Sequence, residues 1–182
     1  AEQHFKGFNN LLVPSYTSFI NLLRTPLPQA GPEVSWMAAH EVHPDFPFDM
    51  KGLEAFDVVL ISDVGADSFL LHPDTWRIGL PRPNRLKLLR EWVEAGHGLG
   101  MIGGWMTFAG YLGQARYAFS PLAPILPVKV LPYDDRMEIP EGGTAKVDVA
   151  DHPVTAGLGA EKWPDLMGYN LTEPKPGGTV LA

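Results

Sequence analysis

Residues 99–110, LGMIGGWMTFAG, constrain the fold of this chain more than any other stretch. A short apolar run (Leu99, Met101, Ile102) meets Gly103 and Gly104, and the pattern predicts a helix starting within residues 105–109. Strand, sharp turn and helix in immediate succession form the elbow with which α/β enzymes hold a nucleophile above a parallel sheet. Glycine suits that turn because the turning residue is strained and neighbouring backbone must approach closely. Two residues after Gly103 stands Trp105, and the 182 residues include no cysteine. The segment predicts a fold and a place for a site, but no reaction.

Residues 57–62, DVVLIS, are the clearest strand. A continuous β-branched and apolar run predicts a strand buried on both faces, as in parallel sheets. It closes on Asp63, Val64, Gly65, Ala66 and Asp67. In open α/β sheets this position, past the carboxyl end of a strand, is where ligands bind. After Pro81 and Pro83, Asn84 is placed to cap a helix with Leu86, Leu89, Trp92 and Val93 on one face, stopped by Gly96 and Gly98. The elbow strand then completes a β-α-β unit, whose crossover is expected to be right-handed.

On either side the reading is plainer. Ser15 or Thr17 caps a helix carrying Phe19, Ile20, Leu22 and Leu23, which Pro26 and Pro28 end. Residues 34–38 are expected to form a short strand, and the prolines of residues 44–47 to force a loop. Downstream, residues 125–131 and 144–149 read as edge-type strands, residues 151–154 as a turn, and residues 179–181 as a last strand. A chain that ends inside a strand and starts without one before its first helix is expected to come from a parent protein longer at both ends. Its 18 prolines and 19 glycines are scattered, so they mark element boundaries rather than a low-complexity segment.

The length fits one domain, residues 1–182. A net charge of −7 and no long run of basic residues argue against nucleic acid and anionic membrane as partners. No apolar run approaches the roughly 20 residues that span a bilayer, and the start, AEQHFKGF, has no apolar leader core. A cytoplasmic protein is the expectation. The absence of cysteine excludes disulfides, thiolate metal sites and thiol catalysis within these residues.

HFKGF, DVVLISDVGADSFLL, VEAGHG, MIGGWMTF, LPYDDRMEIPEG and DHPVTAGL together resemble the class I glutamine amidotransferase-like superfamily. Within it they are most similar to a small bacterial group of cytoplasmic glutamine amidotransferase-like proteins. The resemblance implies an α/β, flavodoxin-like three-layer sandwich with a mainly parallel sheet, its elbow running from Gly103 to Thr107. Catalytic members carry G-x-C-x-G at the elbow, with a histidine and a glutamate further along. Setting Gly103 on the first glycine puts Trp105 on the cysteine and Thr107 on the second glycine. The stretch that carries the histidine and acid has no counterpart here, so the resemblance implies a member without glutaminase chemistry.

Each candidate residue admits two readings. Trp105 is an aromatic platform for a ligand or a plug in a vacated site. Thr107 reads as a helix cap rather than a substitute nucleophile, because no adjacent base is identifiable. Asp63 is placed to bind a cation or polar ligand, or to close an Asx-turn. Among Tyr133, Asp134, Asp135 and Arg136, a cation or hydroxyl-rich ligand site competes with a surface ion pair, which is favoured. His152 is a base or a locally satisfied turn residue. His4, His40, His43, His72 and His97 are scattered without helical metal-site spacing, so neither a metal nor a cofactor is expected.

The leading expectation is a small polar ligand, or a partner chain, bound at an elbow pocket of Asp63, Gly65, Gly104, Trp105 and Met106. A different chemistry in the same pocket, of hydrolase type on Asp63, Asp135 or His152 with or without a metal, is one alternative. An oligomerising scaffold is the other, and a homo-oligomer is expected.

Overall fold

The computed structural model describes residues 25–158 and 163–182. The expected helix with Ser15 or Thr17 as cap lies outside the described residues. Contacts divide the chain into two units, Ala1–Val42 and His43–Ala182.

In the first unit Pro26 and Pro28 sit inside a single helical turn, α1 (Pro26–Gln29). Proline is accepted in a first turn because its missing N–H has no intrahelical partner there. Residues 34–38 form no strand, contrary to the sequence pattern. The Ala38 N–H instead donates to the Glu41 carboxylate at 2.7 Å, a local bond in place of a ladder. Pro44 likewise lies in a helical turn, α2 (Val42–Asp45), rather than in a loop.

The second unit is mixed α/β. Strand β1 (Val58–Ser62) pairs in parallel with β2 (Gly98–Ile102), Val58 opposite Gly98 and Ser62 opposite Ile102. Between α2 and β1 lies α3 (Met50–Leu53), and between the two strands run α4 (Ala66–Leu70), α5 (Pro73–Ile78) and α6 (Arg85–Glu94). Helix α6 is as its sequence predicts: the Asn84 side chain accepts from Lys87 N at 3.0 Å, and Leu86, Leu89 and Trp92 are fully buried. Gly96, at φ +113°, turns the chain out of it.

The sheet is not buried on both faces. Ile61 is buried, but Val58 and Leu60 are 55% and 52% exposed, on the same side as Ile102. With Gly98 and Gly100 opposite them, their side chains lean across β2: a Cβ on Gly98 would lie 3.0 Å from Val58 Cγ2.

Two antiparallel pairs follow. Strand β3 (Val128–Val130) pairs with β6 (Thr172–Pro174), and β4 (Arg136–Gly143) with β5 (Leu166–Asn170). The described residues thus hold three two-stranded sheets, only one of them parallel. Residues 144–149 and 179–181 form no strands. The N–H groups of Asp148 and Val149 both reach the single carbonyl of Leu181, at 2.9 and 3.2 Å, and one shared acceptor does not propagate a ladder.

Candidate functional site

After β2 the chain turns at Gly103 and Gly104, but no helix starts at Trp105; residues 105–109 are turns and bends. Left-handed φ falls on Asp63 (51°) and Phe108 (57°), at either side of the turn, not on Trp105. The turn is held in place by side chains from elsewhere. Asp63 Oδ1 accepts from Met106 N at 2.8 Å, and Asp63 N donates to Thr107 Oγ1 at 2.9 Å. Thr107 is fully buried, so its hydroxyl ties the loop to the end of β1 instead of capping a helix. Gly104 lies so close to the Asp63 carboxylate that any Cβ there would overlap it.

From the other side, Asn170 grips Gly104 through both backbone groups. Its Oδ1 accepts from Gly104 N at 2.8 Å and its Nδ2 donates to Gly104 O at 3.1 Å. That Nδ2 also donates to Asp135 Oδ1 at 2.8 Å, and Asp135 accepts further from Ala109 N at 2.9 Å and Gly110 N at 2.8 Å. Asp135 is fully buried. The expected surface ion pair belongs to Asp134 alone, whose carboxylate takes Arg136 Nε at 3.0 Å and Nη2 at 2.9 Å. This bond, first among several causes, lowers the Asp134 carboxyl below its usual range and raises the Arg136 guanidinium. Arg136 lies over both Trp105 (4.3 Å) and Tyr111 (4.7 Å), whose rings stack 5.6 Å apart.

A cavity of about 600 Å³ opens between this turn and the β4–β5 hairpin. Gly103, Gly104, Trp105 and Phe108 form one wall, and Arg136, Glu138, Met167 and Tyr169 stand among the residues of the other. Of the expected pocket residues, Gly104 and Trp105 line it, whereas Asp63, Gly65 and Met106 are not among its lining. Gly65 packs behind, where a Cβ would lie 3.2 Å from Met106 Cε. The catalytic candidates are not brought together there. Asp63 and Asp135 bind backbone as described, and His152 Nδ1 accepts from Val154 N at 3.2 Å in its own turn. Among the described residues no three His, Asp or Glu side chains form a metal-ligand set.

A family model described as "Putative glutamine amidotransferase" matches residues 1–182. The chain belongs to the glutamine amidotransferase-like family. Two solved structures resemble this amidotransferase-like chain throughout. Cytoplasmic Protein STM1381 from Salmonella typhimurium LT2 is 36% identical with a TM-score of 0.87, covering 98% of this chain and 72% of its own. Cytoplasmic Protein STM3548 from Salmonella typhimurium, also 36% identical, has a TM-score of 0.85 over 96% of this chain and 70% of its own. Among curated proteins none matches.

Asn170 is a site residue that sequence reasoning missed, whereas Arg136 was read as half of a surface ion pair and its place over Trp105 and Tyr111 was not. Arg136 carried a signal, since alternation along a strand puts it on the same side as Asp134 and opposite Asp135. Asn170 carried none, because its partners are far away in sequence.

Proposed function

We propose that this amidotransferase-like protein lacks glutaminase chemistry and binds a small molecule in the cavity beside Trp105. The observation that carries the reading is the place of Trp105. It occupies the family's nucleophile position in the sequence and stands in the wall of a cavity of about 600 Å³, within the roughly 300–1,000 Å³ usual for small-molecule sites. Stacked on Tyr111 and covered by Arg136, its ring is a fixed wall. Gly104 and Trp105 contact the ligand in this reading, and Asp63, Gly65 and Met106 support the turn from behind. The largely apolar lining with a few polar side chains favours an amphiphilic ligand.

The parallel β1–β2 pair with its helical crossover supports a flavodoxin-like, three-layer arrangement, with the turn as its elbow. Both structural neighbours are named as cytoplasmic proteins, which supports a cytoplasmic location, and among the described residues no helix is long and apolar enough to cross a membrane. The test is titration with indole, followed by the Trp105 indole N–H and the Gly103 and Gly104 amides in nitrogen-15 spectra. Saturable shifts confined to the cavity residues support binding; none up to the solubility of indole rejects it.

A second reading, a homo-oligomeric scaffold, rests on the exposed apolar side of β1–β2 at Val58, Leu60 and Ile102. Sedimentation velocity decides it: a monomer unchanged by Leu60→Lys removes the reading.

A further inference from the structure

We infer that the cavity selects amphiphilic cations, amines with an apolar or aromatic body, and that Glu138 sets this choice. The inference rests on the cavity reading above and adds the charge of the ligand. One cation, Arg136, faces the cavity, and it is already committed. Asp134 takes its Nε and Nη2, and the guanidinium covers Trp105 and Tyr111. What is left of it is Nη1, 3.4 Å from Glu138 Oε1, a long contact.

Against this single positive charge stand three carboxylates. Asp134 is neutralised by Arg136. Asp135 lies directly behind the wall, held through Asn170 and two backbone N–H groups with no cation among these partners. Glu138 lines the cavity, its side chain 57% exposed and its Oε2 set over Gly168, where a Cβ would come within 3.4 Å. An anionic ligand would meet this excess of negative charge and find Arg136 already occupied. An ammonium group at Glu138 gains a partner instead, while Trp105 and Phe108 on the facing wall accept the apolar body.

The experiment uses one indole body with three charges: tryptamine (cation), indole-3-acetamide (neutral) and indole-3-acetate (anion). Each is titrated into the whole chain and followed at the Trp105 indole N–H and the Tyr169 amide. Tryptamine is expected to bind about fivefold more tightly than the amide, as for one partly screened charge pair, and the acetate more weakly than either. Glu138→Gln should bring tryptamine to within about twofold of the amide and leave the amide unchanged. Raising ionic strength should narrow the difference in the same way. Glu138 has only the long Arg136 contact to lose, and Glu138→Asp with an unchanged melting temperature serves as the folded control. If the amide binds and tryptamine binds no better, or if Glu138→Gln leaves the preference intact, the charge selection is wrong and the cavity reading stands. If none of the three shifts these signals, both are wrong.

Discussion

The Asp135 carboxylate and the Asn170 side-chain amide are hydrogen-bonded at 2.8 Å, and through this pair the turn after β2 is tied to the β4–β5 hairpin. Asp135 accepts three N–H groups in a fully buried position. Replacing it with alanine strands those donors. Asp135→Ala is expected to lower unfolding free energy by about 3 kcal/mol, and Asp135→Asn by less, since one oxygen remains to accept. Urea denaturation should show a lower midpoint with an unchanged slope.

Arg85 offers a comparable case outside the cavity. Its buried guanidinium donates to the carbonyls of Phe69 (2.6 Å), Ser68 (3.0 Å), His43 (2.9 Å) and Phe46 (3.3 Å), and burial lowers its pKa to about 10. Lysine has one nitrogen where arginine has three, and cannot serve this fan. Arg85→Lys is expected to destabilise by about 2–4 kcal/mol in the same urea assay. A loss under 1 kcal/mol would show the carbonyls do not depend on it.

Tyr117 ties stability to pH on the alkaline side. Its hydroxyl donates to Val64 O from a fully buried site, and burial raises its pKa above the ordinary value of 10.0. The folded state therefore holds the proton more tightly than the unfolded state. The associated stability is complete below the unfolded pKa and is lost as pH rises above it. Between pH 7 and about 11, wild-type stability should fall more steeply than that of Tyr117→Phe, which has no proton to lose. Parallel curves from thermal melts across that range would contradict it.

Gly104 is required for space rather than for backbone freedom, because a Cβ there would overlap the Asp63 carboxylate. Gly104→Ala should cost about 1–3 kcal/mol through displacement of Asp63 from Met106 N. Pairing it with Asp63→Ala, which removes the obstacle, should recover part of that loss. Strictly additive losses in the double-mutant cycle would count against the contact.

What the sequence made legible is local. The apolar run of β1, the Asn84 cap of α6 and the Gly96 stop act within a few residues of themselves, and all are found where they were read. Residues 34–38, 144–149 and 179–181 have the composition of strands, but a strand also needs a neighbour to bond with, and composition does not supply one. The reverse error hid β4, whose Pro140 and two glutamates disguise a strand that pairs with β5. At the site, Trp105 and Gly104 were marked by the turn chemistry, whereas Asp135 was read as a surface or catalytic carboxylate and not as a buried brace. The alternation that turns Asp134 and Arg136 to one side sends Asp135 to the other, into the interior.

Asp135 also imposes an order of events. Its oxygens are shared by Ala109 and Gly110 on one side and Asn170 on the other, and Asn170 in turn holds Gly104. A nascent chain that has emerged only as far as β4 possesses the turn and the carboxylate but not the amide that joins them. The wall behind Trp105 is therefore complete only once β5 has joined β4, and the order of the cavity reports on that pairing.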